Sequence, residues 1–154
     1  MIRFVTDNDI NAWLELSKEV EPLFGDMAAS EDFKNGIACC ISAASALCVE
    51  NDNRDIEGII AFDKAANEIS WLAVRGKARS KGCGRQLLKA ALAHLDGSRP
   101  VTVQTFARNV SGGAAARQLY LRFGFVDLKN AGKNPAGVDT VVMVLKAQRH
   151  QRVT

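Results

Sequence analysis

Residues 74–88 read VRGKARSKGCGRQLL, with five cations, three glycines and no acid. The apolar run ISWLAV (residues 69–74) comes before and has the composition of a strand. A helical pattern follows. Leu87, Leu88, Ala91, Leu92 and Leu95 recur on one face, with Arg85, Lys89 and His94 on others. A strand that ends in a cationic glycine loop and feeds a helix is an anion site in outline. The first turn of a helix has four unpaired backbone N–H groups that carry partial positive charge. Gly82 and Gly84 would let an anion approach the backbone without meeting a Cβ. Arg79 and Lys81 add whole charges. Together these features suit a pyrophosphate; the plain alternative is a solvated basic loop.

The rest of the sequence sets bounds on that reading. A chain of 154 residues suits a single domain spanning 1–154, and 47% hydrophobic content supplies a core. Net charge is only +3, yet five of the twenty basic residues fall between Arg75 and Arg85, so the positive field is local. Cys39, Cys40, Cys48 and Cys83 do not have zinc-ligand spacing, and His94 and His150 add no metal pattern. No metal is expected, and the cysteines read as buried reduced thiols of a cytoplasmic protein. The start, MIRFVTDNDI, shows no signal-peptide pattern. The longest apolar run, IACCISAASALCV, is shorter than the roughly twenty residues a membrane span needs. It reads as the end of a buried helix and the start of a strand.

Along the chain, Ile2 to Val5 reads as a first strand. Thr6 and Asp9 have the spacing of a capping box. A helix over Ile10 to Val20 ends or bends at Pro22 and Gly25. Ser30 is placed to cap a second helix whose inner side is Phe33, Ile37, Cys40 and Ile41. Strands follow at Ala46–Glu50, Glu57–Asp63 and Glu68–Val74, then a helix from about Gly82 to Gly97. Val101–Phe106 is a strand. Ala116, Leu119, Tyr120 and Phe123 mark a helix that Gly124 stops. Two strands, Phe125–Leu128 and Val138–Leu145, close the chain around the loop KNAGKNPAG. The tail from about residue 147 is expected to fray.

Neither a P-loop nor a GxGxxG dinucleotide fingerprint fits, since position 87 is Leu87. The spacing that fits is Arg79-Ser80-Lys81-Gly82-Cys83-Gly84, an R-x-x-G-x-G. It resembles the acetyl-CoA loop of the GCN5-related N-acetyltransferase (GNAT) superfamily, which follows a strand ending in a small apolar run, here Leu72-Ala73-Val74. AARQLYLRFGF (residues 115–125) resembles the family's second signature, A-x-x-L-Y-x-x-x-G-F, with Tyr120 at its tyrosine. Glu68 stands eleven residues before Arg79, where several members carry a general base. The order of elements is similar to the family's from end to end. One departure is Gly113, at a position where many members carry Asn; Asn109 lies nearby as a weaker candidate.

The resemblance implies a mixed α+β fold. Its mostly antiparallel twisted sheet would have about seven strands and about four helices, with a splayed parallel pair at the centre. It implies acetyl transfer from acetyl-CoA to a primary amine in a ternary complex. Leu72, Ala73 and Val74 would pair with the pantetheine arm, and Arg79, Ser80, Lys81, Gly82, Cys83, Gly84 and Arg85 would hold the diphosphate. At neutral pH an alkyl amine is mostly protonated, so a base is needed. Glu68 is the only acid on the central strand, with a solvated carboxylate as its plain alternative. Tyr120 would donate to the leaving thiolate while its ring packs. Cys83 would contribute only its backbone N–H.

Two other functions stay open: an acetyl-CoA-binding module without turnover, and a nucleic-acid binder using the basic loop. With two tryptophans and one tyrosine for stacking, and with clustered charge, the residues speak against the second. No nucleic-acid or membrane partner is expected. The acceptor could be a small amine or a protein amine, and a homodimer stays open. Acceptor contacts are expected from the first two helices and from KNAGKNPAG.

Overall fold

In the computed structural model, which describes residues 1–147, the opening stretch joins a strand to a helix. The strands are β1 (Ile2–Phe4), β2 (Ala46–Glu50), β3 (Ile56–Asp63), β4 (Glu68–Val74), β5 (Val101–Phe106), β6 (Val126–Lys133) and β7 (Asp139–Leu145). They form one sheet in the order β1-β2-β3-β4-β5-β7-β6. Every neighbouring pair is antiparallel except β4 and β5. That pair is parallel because the helix α4 (Cys83–His94) crosses between them. The other helices are α1 (Ile10–Glu19), the single turn α2 (Glu21–Phe24), α3 (Glu31–Ser42) and α5 (Ala114–Arg122).

Local sequence sets the ends of these helices. Ser30 Oγ accepts the Phe33 N–H at 3.2 Å and opens α3. Asp9 Oδ2 accepts the Thr6 N–H at 2.7 Å, and a 3-10 turn leads into α1. Pro22 sits in the first turn of α2, where its missing N–H costs nothing. Gly25 then turns with φ +94°, and a Cβ there would stand 2.7 Å from Pro135. Only glycine lets α2 end against the β6–β7 loop. The helix expected to reach Gly97 stops at His94, because the next turn is held elsewhere. Asn67, buried in the β3–β4 turn, accepts the Asp96 N–H at 2.8 Å and donates to the Pro100 carbonyl at 3.0 Å.

The two faces of the sheet carry separate cores. On one, Leu87, Leu88, Ala91 and Tyr120 from α4 and α5 pack against Ile60, Phe62, Ile69 and Val103. On the other, Trp13, Leu16 and Ile37 from α1 and α3 pack against Ile59, Ala61 and Ala73. Each fully buried Leu or Ile contributes about 1.5–3 kcal/mol. This fixes which face of every central strand is which.

Two further expectations change. The strand β6 runs to Lys133, well past Leu128, so the final loop is only the turn between Lys133 and Asp139. As an edge strand it pairs on one side alone, and two irregularities leave Leu128 and Ala131 without a partner in the register. The helix carrying Cys39 and Cys40 is amphipathic, with only Ile37 fully buried. Cys39 is therefore exposed and Cys40 half-buried, while Cys48 and Cys83 are buried thiols as expected. The tail expected to fray lies, from residue 148, outside the described residues.

Candidate active site

The parallel pair β4/β5 is matched only at Glu68↔Thr102 and Ile69↔Val103. Beyond these residues the strands part. The cause lies in β4, where Ala61 faces Trp71 but Phe62 faces Ile69, leaving Ser70 as one extra residue. Such a bulge bends its strand and frees backbone groups. From Ser70 to Val74 the β5 side of β4 has no strand partner, although the β3 side stays paired up to Val74.

The gap is a cleft of about 190 Å³. Ser70, Trp71 and Leu72 form one wall, and Gln104, Thr105 and Phe106 of β5 form the other. Phe24 of α2 and Asn134 of the β6–β7 loop complete it, tied together where Asn134 Nδ2 donates to the Leu23 carbonyl at 2.7 Å. Tyr120 lines the cleft from α5. Its ring is 3% exposed and meets Phe125 edge-on at 5.4 Å between centroids. Its hydroxyl makes no hydrogen bond among the described residues. Burial pushes that hydroxyl well above its usual acidity range, so it stays protonated.

At the end of β4 the chain makes a short 3-10 turn and then the cationic glycine loop. Ser80 and Gly82 take left-handed φ values of +67° and +83°. These turns aim successive N–H groups outward, as an anion-binding nest does. Among the described residues, the N–H groups of Ser80, Lys81, Gly82, Cys83, Gly84 and Arg85 have no acceptor; the first engaged amide is Gln86, which donates to the Gly82 carbonyl at 3.0 Å. The charges are just as free. Lys77, Arg79, Lys81 and Arg85 have no acidic partner among the described residues. Arg79 Nε reaches back to the Val74 carbonyl at 3.4 Å, which sets its guanidinium beside the end of the cleft strand. Arg75 is the exception, since its Nε donates to the Ile56 carbonyl at 2.7 Å and its head pairs with Glu15. Glu19 accepts the Gly76 N–H at 2.6 Å, so α1 holds the start of the loop.

The remaining sequence candidates fall as follows. Leu72, Ala73 and Val74 end β4, with Leu72 in the cleft wall. Cys83 is buried in the core below the loop, and desolvation raises its thiol. Asn109 is spent on Asp139, to which its side chain donates at 3.2 Å. Glu68 sits at the closed end of the parting strands, half-exposed. It does not line the cleft, whose lining holds no Asp, Glu or His. Trp71 turns toward α1 and α3, where its ring lies 5.8 Å from that of Trp13. Ser70, Gln104 and Thr105 had no sequence signal, because a bulge and a cleft wall depend on strand pairing, whereas Asn134 lies in the KNAGKNPAG stretch from which acceptor contacts are expected. Among the described residues no cluster could hold a metal ion, and no helix is long and apolar enough to cross a membrane.

A sheet parted at its one parallel pair, with a bare cationic helix start at the mouth, is the architecture of the acyl-CoA N-acyltransferases. The chain belongs to the acetyltransferase (GNAT) domain family, whose model matches residues 15–147. No protein of curated function matches the sequence. Among solved structures, yncA from Salmonella typhimurium, determined with its cofactor acetyl-CoA, is 19% identical. The match has a TM-score of 0.73 over 100% of this chain and 97% of that one. The ribosomal-protein-S18-alanine N-acetyltransferase of Escherichia coli aligns at 0.72 with 17% identity, over 100% and 97% of the two chains. The ribosomal-protein-alanine N-acetyltransferase of Brucella melitensis aligns at 0.74 with 19% identity, over 95% and 99%.

Proposed function

We propose that this protein transfers an acetyl group from acetyl-CoA to a primary amine by direct attack in a ternary complex. The observation that carries the reading is the run of acceptor-free amides from Ser80 to Arg85 at the open end of the cleft. Six N–H groups and three unpaired cations, Arg79, Lys81 and Arg85, are a match for a diphosphate. A pantetheine arm can then extend along Leu72 to Val74 as an added strand, with the thioester near the bulge at Ser70. The likeness to yncA, solved with acetyl-CoA, supports the same ligand here.

The amine nitrogen attacks the thioester carbonyl carbon, and the C–S bond breaks. A free backbone N–H beyond Ser70 can stabilise the charge that builds on the carbonyl oxygen. The sulfur leaves as a thiolate beside the Tyr120 hydroxyl, which donates a hydrogen bond to it. Only the neutral amine can attack, and the cleft lining has no carboxylate to take the proton from the incoming ammonium. Glu68 is two residues from Ser70, about 7 Å along the strand. The glutamate side chain covers part of that distance and a bridging water the rest, so we assign Glu68 as a base acting through one.

Titration with acetyl-CoA should show one site per chain, weakening with salt because the loop charges are exposed. Thiol release in the presence of an amine panel then tests turnover. Binding without release for any amine would leave a non-catalytic module, and no binding would end the proposal. Gly82→Ala is the companion variant. A Cβ at φ +83° costs about 1 kcal/mol. It meets no protein atom within 4 Å and stands instead on the anion side of the loop. The KM for acetyl-CoA should rise about tenfold, with a melting temperature only about 2–4 °C lower.

A further inference from the structure

Behind the cleft lies a second, larger hollow that the acetyl-transfer reading leaves unused. It is a groove of about 620 Å³ between α3 and the β3–β4 hairpin. That volume is in the range of small-molecule sites. Ser70 and Trp71 line both the cleft and the groove. Trp71 is the partition. Phe24 touches it on the cleft side, 5.9 Å between centroids, and Phe33 on the groove side, 6.1 Å. The extra residue that parts β4 from β5 therefore stands in the wall that the two hollows share.

We infer that this groove seats the apolar body of the acceptor: a primary amine whose nitrogen lies a few bonds from an aromatic or branched aliphatic group. The inference rests on the acetyl-transfer reading for its reaction and on the groove for its specificity. The floor is apolar and aromatic, with Trp71 and Phe33 against Ile37. The wall on α3 is kept low by Gly36. Glycine is unfavourable inside a helix. Here no backbone or packing demand explains it, because its φ is not left-handed and a Cβ would meet no atom within 4 Å. Its one visible effect is to leave the groove open. At the rim, the carboxylates of Asp32 and Asp63 outnumber the single ammonium of Lys64. Asp32 has no ion-pair partner among the described residues. A cationic amine is drawn to such a rim, and its apolar end is desolvated below it. With that end behind Trp71, the nitrogen emerges at Ser70, where the strands part.

Gly36→Leu fills the groove from an exposed helix position where a Cβ meets no atom within 4 Å and where leucine is the better helix former. Both tryptophans of the chain, Trp13 and Trp71, line the groove, so their emission reports its occupancy. With 2-phenylethylamine or isoamylamine the native protein should show a saturable emission change, and ethylamine at the same concentration should give none. Gly36→Leu should weaken the apolar amines at least tenfold and keep the thermal shift by acetyl-CoA. In thiol release, kcat/KM for 2-phenylethylamine should exceed that for ethylamine by at least tenfold, and the ratio should collapse in Gly36→Leu. No saturable change with either apolar amine, or equal affinities in the two proteins, would overturn the groove assignment while acetyl-CoA binding stands. A native protein that acetyl-CoA does not stabilise would remove the acetyl-transfer reading and the acceptor role of the groove together.

Discussion

Tyr120→Phe should lower kcat between about ten- and a hundredfold, with the KM for acetyl-CoA and the melting temperature nearly unchanged. The magnitude comes from the proton balance at the leaving sulfur. A free thiol has a pKa near 8.5. Burial holds the Tyr120 hydroxyl above its ordinary value of 10. Full transfer to the thiolate is uphill, so the role proposed for Tyr120 is that of a hydrogen-bond donor to developing negative charge. A hydrogen bond to a charged group is worth about 1.5–3 kcal/mol, which is one to two powers of ten in rate. The ring should keep its place in the variant, since its edge contact with Phe125 needs no hydroxyl. Little stability is lost, because the hydroxyl has no protein partner to abandon. Steady-state kinetics with saturating acetyl-CoA checks the first part, and thermal unfolding the second. The pH–rate profile of the native protein should show no limb from Tyr120 below about pH 10. Unchanged kcat in the variant would remove Tyr120 from the chemistry.

The two motifs were legible because each needs particular residue types at a fixed spacing. A left-handed turn asks for Gly82, the anion loop asks for bare backbone and cations, and the α5 position asks for an aromatic with a polar end. The helix starts were legible for the same reason, as Ser30 shows. The bulge was hidden. In EISWLAV, Ile69, Leu72 and Val74 face one core while Trp71 and Ala73 face the other. A strand covered on both faces is apolar throughout and carries no alternation to reveal a slipped register. The extent of β6 was hidden by composition, because KNAGK reads as turn chemistry while an edge strand has only one side to satisfy. Asn109 looked free for a ligand, but its partner Asp139 lies thirty residues away on another strand. The groove has the same origin, since its walls come from α3 and from a hairpin that only the sheet brings beside it.

Arg117 is only a filler position in the α5 signature, yet in the structure it is a nearly buried charge that ties three elements together. Arg117→Ala should lower stability by about 2–4 kcal/mol, a fall of roughly 4–16 °C in melting temperature at this chain length. Its side chain is nearly buried and grips Asp127 with both nitrogens at 2.9 Å, while Nη1 also donates to the Phe106 carbonyl at 3.1 Å. Truncation leaves that carbonyl and carboxylate without their buried donor, at the place where α5, β5 and β6 meet. Phe106 and Tyr120 both line the cleft, so kcat should fall as well. The pH dependence separates this pair from a generic packing loss. The Arg117 guanidinium holds the Asp127 carboxyl below its ordinary value of 3.8, with a smaller contribution from Arg108. A carboxyl depressed in the folded state binds fewer protons there than in the unfolded chain. Its stabilisation is therefore complete above about pH 4 and is lost as pH falls through the lower folded value. Denaturant unfolding should show a constant deficit for Arg117→Ala from pH 5 to 7 and a shrinking one below pH 4. A deficit that stays constant down to pH 2 would mean that packing of the arginine stem, rather than its pairing with Asp127, holds α5 to the sheet.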